Sequence, residues 1–287
     1  MLSAIVIWVG MSSLMVVNGC SLSTSRLYST EEDRAIFQSY LSFMAGKEEL
    51  PIAERIIETA HFFLETPYVA ATLEKEPEGL VVNLREMDCT TFVENVLALS
   101  RILHRPSPSF EDFCKELQSI RYRNGEISDY TDRLHYMTDW IYENVRQGRV
   151  KDITAEVGGV RLPLQLSFMS THSDAYKPLK GNVARVRKIA EQEKIISRRT
   201  YYYLPQDSIE YHASSFRNGD IVCFVTSIAG LDVAHVGYVC HKAGNLTFIH
   251  ASSTGKKVII NDVSLSNYVK SIKKDIGILL IRPLPVD

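Results

Sequence analysis

Three short segments combine reactive side chains with a local frame that can use them: Asp88-Cys89-Thr90-Thr91, Ala234-His235-Val236-Gly237-Tyr238 and Phe248-Ile249-His250-Ala251-Ser252-Ser253. The first stands at the head of an amphipathic run whose apolar stripe is Phe92, Val93, Val96, Leu97, Ser100 and Leu103. A cysteine in the first turn of a helix meets the positive end of the helix dipole and backbone N–H groups without partners. Those groups favour thiolate over thiol and can also hold an oxyanion. The competing reading makes Cys89 a core residue. Its polar neighbours Asp88, Thr90 and Thr91 argue against that, because the apolar stripe opens only at Phe92.

In a strand, His235 and Gly237 share one face while Val236 and Tyr238 share the other. A glycine beside a histidine leaves room for another group to approach, and a base for Cys89 needs that access. His250 follows His235 by fifteen residues, across a Gly244-Asn245 turn, so antiparallel neighbours can bring the two imidazoles together. A thiol, a base and a third group that orients the base form a catalytic triad, in which His250 fixes the tautomer of His235. For any single histidine, a core residue satisfied by its surroundings is the rival reading.

The remaining histidines score lower. His61 and His104 lie in or beside helical stretches without reactive neighbours, His241 ends a strand, and His212 has no evident partner. His235, His250 and Asp232 supply metal-ligating types, but no HExxH pair occurs, and no GxSxG marks a serine hydrolase. The expectation is therefore thiol chemistry with no metal and no cofactor.

Regular elements must position these groups. Helices are expected from Glu31, after Pro51, from Cys89 to about Leu103 with Asp88 as N-cap, over Ser109–Ile120, over Thr131–Val145 and over Val183–Ser197. Leu80–Leu84 reads as a short strand or an extended entry to the site, and residues 149–182 are mixed. Strands are expected over Ile221–Thr226, Val233–His241, Leu246–His250, Lys257–Ile260 and Gly277–Ile281. A helix-rich front and a strand-rich back imply an α+β fold with an antiparallel sheet.

The chain has 287 residues, 45% of them apolar, and a formal net charge of -2. That is enough to bury one large core, and the absence of a basic excess argues against a nucleic-acid partner. The densest basic run, Arg185 to Arg199, is broken by Glu191 and Glu193 and reads as a solvated face. Of the five cysteines, Cys114 fits an apolar helical pattern, while Cys223 and Cys240 fall on strands where a bridge is possible. The apolar stretch Ala4–Val17 reads as a secretory signal over residues 1–19. Val17-Asn18-Gly19-Cys20 resembles a bacterial lipoprotein processing site, which implies lipidation at Cys20 and a Ser/Thr-rich tether over 20–30.

Together, Asp88-Cys89-Thr90-Thr91-Phe92-Val93, His235-Val236-Gly237-Tyr238 and Phe248-Ile249-His250-Ala251-Ser252 resemble the NlpC-type, papain-like cell-wall hydrolases. The resemblance implies Cys89 as nucleophile, His235 as base and then acid, and His250 as the residue orienting His235. It implies one papain-like catalytic domain over 31–287, with a helical front and an insert at about 105–200. Tyr130-Thr131-Asp132-Arg133-Leu134-His135-Tyr136 with Asp139-Trp140, Met169-Ser170-Thr171-His172 and Gly230-Leu231-Asp232 look like a narrower branch, the Bacteroidetes-type N-acetylmuramoyl-L-alanine amidases. That branch implies cleavage between muramic acid and L-alanine in muropeptides. The alternatives are a D-glutamyl-diaminopimelate endopeptidase and a lipoprotein that binds wall fragments without cutting them. On a helix over 131–147, Arg133, Tyr136 and Trp140 would share a face, where an arginine can grip a carboxylate and a tryptophan can stack on a sugar. His135, Thr171, His172 and Asp232 join them as substrate-binding candidates. The expected protein is an exported monomer, periplasmic or on the outer membrane, touching the membrane only through its lipid.

Overall fold

The computed structural model describes residues 26–286. The expected signal segment and Cys20 lie outside them. In chain order the elements are β1 (Leu27–Tyr28), α1 (Glu31–Met44), α2 (Ile52–Phe62), β2 (Leu80–Val81), α3 (Cys89–Ile102), α4 (Phe110–Arg121), α5 (Met137–Arg146), β3 (Val150–Asp152), β4 (Val160–Leu162), α6 (Phe168–Thr171), α7 (Val183–Ser197), β5 (Tyr201–Pro205), β6 (Ile221–Thr226), β7 (Val233–Lys242), β8 (Asn245–Ser252), β9 (Lys257–Ile260), α8 (Leu265–Ser271) and β10 (Asp275–Pro283). The fold is α+β with an antiparallel sheet, as expected.

Local chemistry starts the front helices. Thr30, Asp88 and Ser109 each accept a hydrogen bond from the third residue of the helix that follows, whose side chain reaches back to the cap. These reciprocal boxes satisfy N–H groups that a helix start leaves open. The large sheet runs β4-β5-β10-β6-β7-β8-β9, with β3 also on β10. The β7–β8 hairpin turns through Ala243 and Gly244, both at positive φ, the backbone that a tight two-residue hairpin needs.

One face of the sheet, with Cys223, Val225, Val236 and Tyr238, packs into the main core with Phe92, Val93, Val96 and Leu97 of α3. The other face, with Val222, Phe224, Val239 and Phe248, is covered by Leu265 and Val269 of α8. Tyr238 fixes α3 on β7: its ring meets Phe92 edge-on at 6.0 Å, and its hydroxyl donates to the Val93 carbonyl at 2.8 Å.

Three expectations change. The helix expected over Thr131–Val145 begins only at Met137. Residues 130–132 form a 3-10 turn, and Arg133 is extended and bridged to Tyr122. The helix starts where the Asp232 carboxylate accepts from both the N–H and the hydroxyl of Thr138, at 2.8 Å each. That cap lies ninety-four residues away in sequence, so local pattern could not reveal it. Secondly, Leu27–Tyr28, inside the stretch read as tether, pairs in parallel with Leu80–Val81. Thirdly, β3, β4 and β5 were not expected as strands, being short segments defined by their pairing with β10 and with each other. Cys223 and Cys240 are both free thiols, as are Cys89 and Cys114.

Candidate active site

Cys89 is the first residue of α3, and Asp88 sets it there. The Asp88 carboxylate accepts from Thr91 N–H at 2.8 Å, and Thr91 Oγ1 accepts from Asp88 N–H at 2.9 Å. The helix start is brought to a gap in the sheet. The β7–β8 ladder runs from Lys242↔Asn245 to Tyr238↔Ile249 and stops. Val236 lies just past the last pair, and its backbone N–H is directed to the Cys89 thiol.

His235 and His250 meet beyond the end of that ladder. His235 Nε2 and His250 Nδ1 are 2.6 Å apart and share one proton between them. Their rings are near perpendicular, with centroids 4.8 Å apart. Gly237 permits this approach. A Cβ there would stand 2.7 Å from the Ile249 carbonyl oxygen and 3.1 Å from His250 Cβ. The room inferred beside His235 is thus taken by β8 itself. His250 is 2% exposed and packs against the Phe248 ring at 4.5 Å and Tyr268 at 6.0 Å. Its Nε2 is buried with no hydrogen-bond partner among the described residues.

Burial controls the charge states. It pulls His235 down to about 4. It pulls His250 down to about 3, with the neighbouring His235 adding to the effect. Both rings are therefore neutral at pH 7. Burial also pushes the Cys89 thiol up to about 12, helped by the Asp88 carboxylate and opposed by the N–H of Val236 and by Thr90. This corrects the expectation that the helix start would favour thiolate: desolvation outweighs the hydrogen bonds to the sulfur. At pH 7 Cys89 is therefore a thiol and His235 a neutral imidazole. Where His235 Nε2–H is the donor in this contact, His235 Nδ1 carries the lone pair that can take a proton.

The seven residues expected to bind substrate have surroundings of their own, and Asp232 also lines the cleft at the start of the strand that carries His235. Arg133 is buried, with Nε and Nη2 on Glu78 at 2.9–3.1 Å, Nη1 on Glu74 at 2.9 Å and Nη2 on the Leu73 carbonyl at 3.1 Å. His135 Nε2 meets the Tyr130 carbonyl at 2.9 Å. Tyr136 donates to Glu193 at 2.7 Å and accepts from Met169 N–H at 3.0 Å. Trp140 is buried, and Asp232 caps α5. Thr171 and His172 are exposed, the latter stacked on Phe168 at 4.3 Å. Among the described residues, no hydrogen bond or ring contact joins any of the seven to Cys89, His235 or His250. Arg133, Tyr136, Trp140 and Asp232 instead tie the insert to the core.

Two tyrosines near the thiol escaped the sequence reading. Tyr68 and Tyr268 are each pushed up, first by burial, and ionised Cys89 adds to the rise in both. Tyr68 pairs through its backbone with Met87, two residues before Cys89. Its position directly after Pro67 was the available signal. Tyr268 reaches the site from α8, with no motif to mark it. A cleft of about 500 Å³ lies between residues 69–75 and 81–86, the segment leading to Cys89. Another of about 530 Å³ lies between Leu162–Ser167 and Val225–Asp232, at the start of the strand that carries His235.

Solved structures with this architecture include proteins named as amidases. The chain is 38% identical to an N-acetylmuramoyl-L-alanine amidase from Bacteroides uniformis, covering 81% of this chain and 99% of that one with a TM-score of 0.77. It is 41% identical to a protein from Bacteroides fragilis described as a putative xylanase, covering 78% and 99% with a TM-score of 0.76. A Legionella pneumophila protein assigned to the family DUF1460 shares the fold at 23% identity, with 89% and 95% covered and a TM-score of 0.67. No curated protein matches the sequence. The family model described as AmiA-like, N-acetylmuramoyl-L-alanine amidase-like, matches residues 58–278, and the chain belongs to that family.

Proposed function

We propose that the protein is a cysteine amidase of papain-like mechanism that cuts the amide between N-acetylmuramic acid and L-alanine in peptidoglycan fragments. The observation that carries this reading is the 2.6 Å contact of His235 Nε2 with His250 Nδ1, at the sheet gap into which the start of α3 brings Cys89. Family membership supplies the amide class.

His235 Nδ1 takes the Cys89 proton as sulfur attacks the lactyl carbonyl carbon. The carbonyl oxygen becomes an oxyanion, and open N–H groups at the start of α3 are placed to stabilise it. His235 then gives its proton to the alanine nitrogen. The carbon–nitrogen bond breaks, leaving a muramoyl thioester on Cys89 and a free peptide. Water, deprotonated by His235, attacks the thioester, and the acid leaves as the thiol is restored. His250 acts through His235: accepting the Nε2–H of His235 leaves the Nδ1 lone pair free for this work. The two clefts flank the segments bearing Cys89 and His235 and offer room for sugar and stem. Export and lipid attachment at Cys20 would bring the enzyme to such fragments.

Incubation with a sugar-bearing muropeptide, followed by mass analysis, tests the reading. Free N-acetylmuramic acid-containing sugar and intact peptide are expected, and Cys89→Ala should abolish both. A dipeptide fragment would instead indicate an endopeptidase, and binding without turnover a non-catalytic lipoprotein. Either result refutes the amidase assignment.

A further inference from the structure

Arg85 stands four residues before Cys89, on the 81–86 wall of the cleft of about 500 Å³. Its guanidinium is held by one edge only. Nε donates to Asp33 Oδ1 at 3.2 Å, and 33% of the side chain stays exposed. Nη1 and Nη2 have no hydrogen-bond partner among the described residues. Asp33 is 0% exposed and fully engaged: Oδ2 accepts from the N–H and the hydroxyl of Thr30 at 2.8 Å each, and Oδ1 also accepts from Leu84 N–H at 2.9 Å. The wall itself is fixed. Asn83 Oδ1 accepts from the N–H groups of Arg85 and Glu86 at 3.2 and 3.3 Å, and Asn95 of α3 donates to the Asn83 carbonyl at 3.2 Å. The helix that carries Cys89 therefore also holds the loop that carries Arg85.

On the other wall of the cleft, Lys75 is exposed and has no ion pair among the described residues. The acids of the two walls are engaged: Glu74 takes Arg133 at 2.9 Å, and Glu86 takes Asn83 Nδ2 at 3.3 Å. A buried carboxylate on Nε leaves the flat Nη1–Nη2 edge of an arginine open, and that edge fits the two oxygens of a second carboxylate. Arg133, by contrast, has Nε, Nη1 and Nη2 all donating inside the protein.

We propose that Arg85, assisted by Lys75, binds the free carboxylate of the second stem residue, D-glutamate, and selects fragments in which that group is not amidated. The proposal rests on the amidase reading. D-glutamate continues the stem through its side chain, so its α-carboxylate is free. In an extended stem that carboxylate lies about two residues, roughly 7 Å, from the scissile carbonyl. The chain from Arg85 to Cys89 spans at most about 14 Å, which the stem and an arginine side chain together can bridge.

The test compares two sugar-bearing muropeptides that differ only in the second residue, D-glutamate or its amide D-isoglutamine, with the full mature chain. Wild type should favour the free carboxylate in kcat/KM by about tenfold or more, the contribution of a hydrogen-bonded charge. Arg85→Met should lose this preference, and Arg85→Lys, which keeps the charge without the fork, should restore only part of it. The readout is a ratio within one protein, so a general loss of activity does not imitate it. Lys75→Met leaves Asp33 paired and should narrow the preference by about threefold; it carries the test where Arg85→Met does not fold. A wild type that cuts both fragments alike or favours the amide overturns the proposal and leaves the amidase reading intact. So does a preference unchanged in Arg85→Met, or in Lys75→Met where that variant carries the test. A wild type that cuts neither fragment overturns the amidase reading, and this proposal with it.

Discussion

His235 and His250 are joined Nε2 to Nδ1 at 2.6 Å from neighbouring strands, just beyond the point where the ladder between those strands stops. In the proposed mechanism one imidazole occupies the place where many hydrolytic triads use a carboxylate. A neutral orienting group fixes ring position and tautomer, but it offers no negative charge to an imidazolium on His235. Both effects lead to measurable consequences.

Loss of the orienting contact should lower turnover more than binding. In the proposed mechanism His250→Ala removes the acceptor for the His235 Nε2–H and frees the ring to rotate. A positioned general base contributes about 10²–10⁴-fold, so kcat on a muropeptide should fall by about 10²-fold or more while KM changes little. His250→Gln offers an acceptor oxygen and should recover part of the loss. Equal losses in both variants, with both folded, would show that the contact does not orient the base.

The acid limb of the rate profile should lie low. With no carboxylate to hold its charge and with burial pulling it down to about 4, His235 remains neutral until the pH approaches that value. The base is lost on protonation, so kcat/KM should stay level from neutral pH towards about 4 and fall below it. Initial rates measured over that range, with circular dichroism to confirm the fold, check this. A limb centred near the ordinary histidine value of about 6.5 would contradict it.

The parts of this site that were legible in the sequence are those that neighbouring residues determine. Asp88 caps its own helix, so the position of Cys89 could be read from four consecutive residues. Gly237 could be read as space beside His235 because both lie in one alternating strand. What fills that space, the Ile249 carbonyl and the base of His250, depends on β7–β8 register, which a hairpin signal suggests but does not fix. The charge of Cys89 was misjudged because desolvation depends on the whole surrounding fold, whereas the helix dipole is local. The insert misled for a related reason. Arg133, Tyr136 and Trp140 look like one face of a helix, but Asp232 starts that helix at Met137, and Glu74 and Glu78 hold Arg133 outside it. Distant partners that terminate or cap an element leave no periodic trace in its own residues.

His135 gives a stability test of that structural role. Its ring lies 4.4 Å from Tyr130, and burial, with Arg133 adding to it, pulls its pKa down to about 3. An unfolded histidine titrates near about 6.5. As pH falls from there towards about 3, the unfolded chain binds a proton that the folded chain refuses, so the stability tied to neutral His135 is lost across that window. It is fully present above the unfolded value. His135→Gln removes this proton uptake. Other buried groups add their own pH dependence, Asp275 among them with the opposite sign, since burial raises its carboxyl to about 6. The informative quantity is therefore the wild-type minus variant difference in unfolding free energy, taken from urea titrations at several pH values. That difference should be constant above about pH 7 and should shift in favour of the variant as the solution is made more acid. A gap that does not change with pH would mean that His135 is not held neutral by the fold, and would return it to consideration as an accessible ligand-binding group.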